Sequence, residues 1–189
     1  MRYSGARLAA LVTMPGLAWA AVAVDALWGY GRPELSEQRF RAAWHGATGD
    51  DLLVLRTQIA RALSLRQRFE EAHLELDARQ PFLEGAGIEA VVRAGLERGR
   101  TWRSSGQPER GRPLFLRALE QADEAGLRAL AADALHMVAL VAVGLENQRA
   151  INHQVVDYAR ASSQPPERRS VVRLALRGFE ARHQALIRR

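Results

Sequence analysis

The stretch IEAVVRAGLERGRTWRSSGQPERGRPLFLRALEQADE, residues 88–124, decides the fold of this chain. Its two halves each carry apolar residues at intervals of three or four, which is the period of one face of an α-helix. These apolar positions are Ile88, Val92 and Leu96 in the first half and Leu114, Phe115, Ala118 and Leu119 in the second. The turn from Gly106 to Pro108 separates the two halves. Because glycine ends a helix and proline is favoured in a first helical turn, the stretch predicts a helical hairpin.

The same pattern recurs on both sides of this hairpin. Small residues stand at equivalent places, Ala72, Gly111 and Ala150, and the two intervals between them are equal. A fixed interval of this kind indicates a repeat. No run of alternating β-branched residues is long enough for a strand. The predicted fold class is therefore all-α, built from about three helical hairpins.

Further helices are expected to close the two ends of the stack, because no hairpin buries its apolar face alone. Asp50 and Asp51 are expected to cap the first helix of the first repeat. The predicted elements are an N-terminal helix over 34–46, repeats over 50–84, 88–124 and 127–162, and a C-terminal helix over 167–189.

The repeats resemble the tetratricopeptide repeat family, and the second repeat carries this resemblance best. Gly99 and Trp102 stand at motif positions of its first helix, and Gly111 and Phe115 at those of its second. The interval from Ala72 to Gly111 is longer than that family's usual repeat, which suggests longer helices or linkers. The resemblance implies a right-handed α-solenoid, with Trp102 and Phe115 filling the space between hairpins, and a role in binding other proteins.

Residues 1–23 read MRYSGARLAALVTMPGLAWAAVA and have the three parts of a secretory signal peptide. Arginines precede an apolar stretch, and small residues spaced for cleavage follow it. Pro15-Gly16 interrupts the apolar span, so we expect no stable membrane insertion. The sequence predicts export to the bacterial periplasm or the medium, with 24–189 as one helical-repeat domain. The alternative is a cytoplasmic protein in which 1–23 are not a cleaved signal.

Composition excludes several classes of protein. The chain has 189 residues, 48% hydrophobic and 25% charged, and no cysteine, which excludes collagen, low-complexity disorder and a disulfide-stapled miniature. All 27 basic residues are arginine, and the net charge is +6. Seven arginines fall within 93–117 and seven within 168–189. Such basic patches favour anionic partners.

Motifs of catalysis are not found in the sequence. The five histidines lack the spacing of a metal-binding pair, and there is neither a nucleophile elbow nor a phosphate-binding glycine loop. Asp133 and His136 share a helical face, but an ordinary hydrogen bond explains such a pair better than a catalytic dyad. We therefore predict a protein that is not an enzyme and uses no cofactor or metal.

The predicted function is a protein interaction scaffold that holds a peptide or protein segment in the concave groove of the solenoid. An alternative is a binder of an anionic polymer or surface, such as nucleic acid or anionic lipid, through its arginine-rich patches. A further alternative is that the chain is a fragment of a longer repeat array.

In the family that the chain resembles, the first helix of each hairpin lines the groove. This implies five binding residues, Arg61, Arg93, Arg100, Arg103 and Leu135. Helical spacing independently places Arg93, Arg100 and Arg103 on one face. A partner with carboxylates beside aliphatic side chains fits such a groove, since guanidinium binds carboxylate through two hydrogen bonds. The alternative is that these arginines pair with Glu97 or face water.

Alanine substitution tests this assignment. Arg100→Ala and Arg103→Ala are each expected to weaken partner binding by about 1–3 kcal/mol, the cost of losing a charge-assisted contact. Thermal stability is expected to stay nearly unchanged, because exposed side chains contribute little to it. Calorimetry against the partner and thermal unfolding measure the two effects. Full-strength binding by the double variant would contradict the assignment.

Overall fold

A computed structural model describes residues 23–29 and 31–142, together with Gly144, Glu146, Ala150, Ile151 and His153. The α-helices over the described part are α1 Val24–Leu27, α2 Pro33–Trp44, α3 Gly49–Leu65, α4 Phe69–Asp77, α5 Ile88–Ser104, α6 Pro108–Glu124 and α7 Arg128–Leu140. A short 3-10 turn, Gln80–Phe82, follows α4. No strand occurs among the described residues, and the prediction of an all-α fold is confirmed.

The helix boundaries follow the turn signals of the sequence. Helices α5 and α6 fill the predicted second repeat, and α2 lies within one or two positions of the predicted N-terminal helix. The interval between the starts of α3 and α5 equals that between the starts of α4 and α6, and α7 begins after α5 at nearly the same interval. Most of the second helix of the third repeat, the C-terminal helix over 167–189 and nearly all of the signal over 1–23 lie outside the described residues.

Proline and glycine mark the ends of the helices. Pro33 and Pro108 are the first residues of α2 and α6, where the missing N–H costs no intrahelical bond. Gly106 and Gly126 follow α5 and α6 with φ of +85° and +70°. Only glycine adopts these angles without strain, so both helices end where the sequence predicts.

Asp50 has a different role from the one predicted. The N-cap of α3 is Thr48, and no side chain caps that helix end. The Asp50 carboxylate instead accepts the backbone N–H of Gly87, at 3.1 Å to both oxygens. Because Gly87 is the N-cap residue of α5, this carboxylate joins the start of one hairpin to the start of the next.

Each first helix packs on the first helix of the next hairpin as well as on its own partner. Helix α3 contacts α2, α4 and α5, and α5 contacts α3, α4, α6 and α7. The apolar core forms two clusters, one around Phe40, Leu55 and Ile59 and the other around Leu96, Phe115 and Leu119. Helix α5 thus lies at the centre of the described part.

Two glycines allow α5 and α6 to approach closely. A Cβ atom on Gly99 would lie 2.5 Å from a ring carbon of Phe115, which is fully buried. A Cβ atom on Gly111 would lie 2.6 Å from the backbone oxygen of Gly99. The second contact is with backbone, which cannot rotate away as a side chain can. The close approach of α5 and α6 therefore depends on glycine at both positions.

Substitution of Gly111 tests this packing. Gly111→Ala is expected to lower the free energy of unfolding by about 1–3 kcal/mol, because the new methyl group forces the two helices apart. Gly95→Ala is the matched control, since its Cβ would find its nearest neighbours at 3.9 Å. The control is expected to stabilise the protein by up to about 1 kcal/mol through helix propensity. Urea unfolding measures both, and equal stability of the two variants would contradict the packing described.

Candidate functional site

Two of the predicted binding arginines, Arg61 and Arg100, belong to an internal network of charges. The Nη1 atom of Arg100 donates to Oε1 of Glu97 on the same helix. Its Nη2 atom lies 2.5 Å from both carboxylate oxygens of Asp133 on α7. On the other side, Nη1 of Arg61 on α3 lies 3.7 Å from the same Glu97 oxygen. We call Arg61, Glu97, Arg100 and Asp133 the ion-pair ladder, because it joins α3, α5 and α7.

The centre of the ladder is buried, whereas its two ends, Arg61 and Asp133, are 28% and 33% exposed. The side chain of Glu97 is 2% exposed and that of Arg100 is 12% exposed. Burial by itself lowers the pKa of Arg100, but the carboxylates of Glu97 and Asp133 outweigh it, and the pKa lies above its ordinary value. Arg100 therefore stays charged as a structural cation. Arg100 pairs with Glu97, as the alternative interpretation of the sequence proposed.

Glu97 depends on its arginines for compensation of its charge. Its second oxygen, Oε2, is buried and has no hydrogen-bond partner among the described residues. A buried carboxylate without a cation is strongly unfavourable. Among the described residues, the ion pairs of Oε1 with Arg100 and Arg61 therefore compensate the negative charge of Glu97.

Trp28, which follows α1, covers one side of Arg61. Its guanidinium lies 5.1 Å from the ring centre of Trp28, which is 7% exposed. The Trp28 Nε1–H donates to Oε1 of Gln58 at 3.0 Å, and Gln58 is fully buried. Arg61 thus lies between Trp28 and Glu97, and its side chain remains 28% exposed.

The other three predicted residues differ in their accessibility. Arg93 is 20% exposed and pairs with Glu89 one turn earlier, at 2.8 Å from Nε to Oε1. Arg103 is partly exposed and forms no ion pair within the described part of the chain. Leu135 is 3% exposed and packs in the core cluster around Phe115, so it does not line an open face. The spacing of Leu135 along the sequence is compatible with a place in the groove or in the core. The rotation of α7 about its own axis places it in the core.

Trp102 is not the core residue that the repeat motif implies. It is only partly buried, and its ring lies between His73 of α4, with ring centres 4.0 Å apart, and Arg110 of α6, whose guanidinium lies 3.3 Å from the ring centre. A cation over an indole face is a favourable contact. The ring thus connects the second helices of two consecutive hairpins.

His73 is held in its neutral form. The Nη1–H of Arg98 donates to Nδ1 of His73 at 2.8 Å, and Nη2 of Arg98 pairs with Asp77. Because guanidinium only donates, Nδ1 must accept and Nε2 carries the proton. Burial and the nearby charges of Arg98 and Arg110 lower the pKa of His73, while Asp77 opposes this in part.

Comparison of the chain with known proteins identifies no relative. No protein-family model matches the chain, and neither a curated protein nor a solved structure matches it significantly. Among the described residues no group of three or more histidine, cysteine, aspartate or glutamate side chains could hold a metal ion. No described helix combines the length and apolar character needed to cross a bilayer.

Sequence reasoning missed Asp133 and Trp28 as parts of this site. Asp133 was considered only as a partner of His136 on its own helix, whereas it binds Arg100 on α5. Trp28 lies before the first predicted helix and reaches α3 through Gln58. Both contacts depend on how neighbouring helices are placed, which periodicity along one helix does not specify. The available signal was that Asp133 is the only carboxylate on α7.

Arginine substitutions separate structural from exposed positions. Arg100→Ala is expected to lower the free energy of unfolding by about 3 kcal/mol or more, because it leaves Glu97 buried with only the more distant Arg61. The sequence alone predicts unchanged stability, and the contacts of Arg100 lead us to expect a loss instead. Arg103→Ala is the control and is expected to change it by less than about 0.5 kcal/mol. Chemical unfolding measures both, and an Arg100→Ala variant as stable as the control would refute the structural role.

Acidification tests the state of His73. Since its pKa is lower in the folded than in the unfolded chain, the unfolded chain binds more protons at mildly acidic pH. This contribution to stability is complete above the ordinary pKa of about 6.5 and falls as the pH drops below it. The pH slope of the unfolding free energy between pH 7 and 5 is therefore expected to be smaller in His73→Phe than in the parent chain. His136→Gln alters an exposed histidine and serves as control. Equal slopes in all three would contradict the account.

Proposed function

We propose that the chain is a non-enzymatic scaffold that binds a segment of another protein on the face formed by its first helices. The observation that carries this proposal is the direct packing of α3 on α5 and of α5 on α7, at nearly constant intervals along the sequence. Such an arrangement supports a right-handed solenoid, in which successive first helices form a continuous surface.

The ion-pair ladder is proposed to hold this face in a fixed shape. Arg61 and Arg100 stabilise the fold, while Arg93 and Arg103 bind the partner. A surface ordered before binding loses little conformational entropy when a segment binds to it. Arg103 is the stronger contact of the two, because Arg93 must exchange its pairing with Glu89.

The apolar part of the proposed face is Leu140 rather than Leu135. Leu140 is 40% exposed, and steps of three and four along α7 place it on the side of Asp133 and His136. Arg103 and Leu140 would together receive a segment with a carboxylate and an aliphatic side chain. The expected partner thus has the same chemistry as the one that the sequence suggested, and Leu140 takes the place of Leu135.

An anionic polymer is the weaker candidate. Many arginines of the described part are neutralised by carboxylates of their own chain, and a paired guanidinium contributes little to phosphate binding. These arginines are Arg41, Arg56, Arg61, Arg66, Arg68, Arg93, Arg98 and Arg100. Within the described residues, the number of arginines free to bind phosphate is therefore smaller than the number of arginines.

Site-specific crosslinking in the host cell tests the proposal. A photoreactive phenylalanine analogue at position 136 or 140 is expected to capture the same discrete protein, since both positions are exposed, and Arg93→Glu should reduce that capture several-fold. Position 39 on α2 is exposed and serves as the control site. Identical products at positions 39 and 140, or capture of nucleic acid alone, would contradict a protein-binding face made of first helices.

A further inference from the structure

A groove of about 400 Å³ lies on the side of α5 that faces away from the ion-pair ladder. Positions 91, 94, 95 and 98 line it, whereas 93, 97 and 100 follow the opposite side of the helix. Residues of α4, of the loop after the 3-10 turn and of α6 complete its walls. This volume is in the range of small-molecule sites, and the groove is separate from the proposed protein-binding face.

The floor of the groove is formed by Gly95 and Ala118, and their small size keeps the groove open. Gly95 and Ala118 meet there, and a Cβ atom on Gly95 would lie 3.9 Å from that of Ala118. Leu76, Val91 and Leu114 stand around this floor. An aliphatic chain laid in the groove would remove from water its own apolar surface and the part of Val91 and Leu114 that is still exposed, which is favourable. The absence of a side chain at Gly95 is what leaves room for it.

The charges at the groove specify the polar end of a ligand. Arg98 lines the groove, but Asp77 and His73 occupy its guanidinium. Arg117 is exposed and forms no ion pair with any described residue, Glu84 across the groove included. One guanidinium is thus available to an anion, and Glu84 repels a second negative charge placed near it.

We propose that this groove binds an aliphatic monocarboxylate, with its chain on the Gly95 floor and its carboxylate on Arg117. The free guanidinium and the apolar floor together select a ligand with one charged end and one apolar end. Guanidinium matches the geometry of a carboxylate and donates two hydrogen bonds to it. A dicarboxylate would place its second charge on the floor or near Glu84, and an alkylammonium would meet Arg117 with like charge.

Calorimetric titration with four eight-carbon probes tests the ligand class. Octanoate, below its micelle concentration, is expected to bind at one site with a dissociation constant of about 0.1–1 mM, as its size allows. Octanol is expected to bind about fivefold more weakly, since it lacks the charge-assisted contact. Suberate and octylamine are expected to bind more weakly still. Equal affinity for octanoate, octanol and octylamine, or no saturable binding of octanoate, would overturn the proposal.

Variants locate the binding within the chain. Gly95→Leu fills the floor and is expected to abolish saturable octanoate binding, while Arg117→Gln is expected to weaken it about fivefold. Arg39→Gln removes an exposed arginine of α2 and is expected to leave affinity unchanged. Circular dichroism confirms that each variant is folded. If Gly95→Leu is folded and binds octanoate as the parent does, the groove is not the site. This outcome leaves the crosslinking test of the first-helix face unaffected.

Discussion

The carboxylate of Glu97, buried between the first helices of successive hairpins, is the constraint on which the rest of the described structure depends. A buried charge must be compensated where it lies, and Arg100 with Arg61 provides that compensation. Arg100 also holds Asp133, so α3, α5 and α7 share one set of charges. The apolar clusters pack the hairpins, and the ladder specifies how one hairpin is placed against the next.

The sequence predicted the helices well because their signals are local. Pro108 begins α6, Gly106 and Gly126 end the helices before them, and Gly99 with Gly111 explains the close approach of α5 and α6. What it missed is contact between helices. Asp50 takes the N–H of Gly87 in the next hairpin, although its position in the sequence suggested a cap for its own helix.

The candidate site shows the same limit. Helical spacing placed Arg93, Arg100 and Arg103 on one face. It could not tell that Arg100 meets Asp133 of α7, whereas Arg103 has no carboxylate partner among the described residues. Leu135 and Leu140 differ by only five positions on α7, and the rotation of that helix decides that the first is buried and the second exposed. Exposure on a repeat surface is a tertiary property, set by the neighbouring hairpin.

The most direct test of the ladder's role is hydrogen exchange of the native chain, read helix by helix. If the ladder unites the hairpins, the core amides of α3, α5 and α7 exchange with one shared opening free energy. In Arg100→Met, which keeps a long apolar side chain but removes the charge, α7 is expected to open independently and exchange faster than α3. Unchanged and still shared protection of all three helices in that variant would contradict the claim that Arg100 and Glu97 join the hairpins.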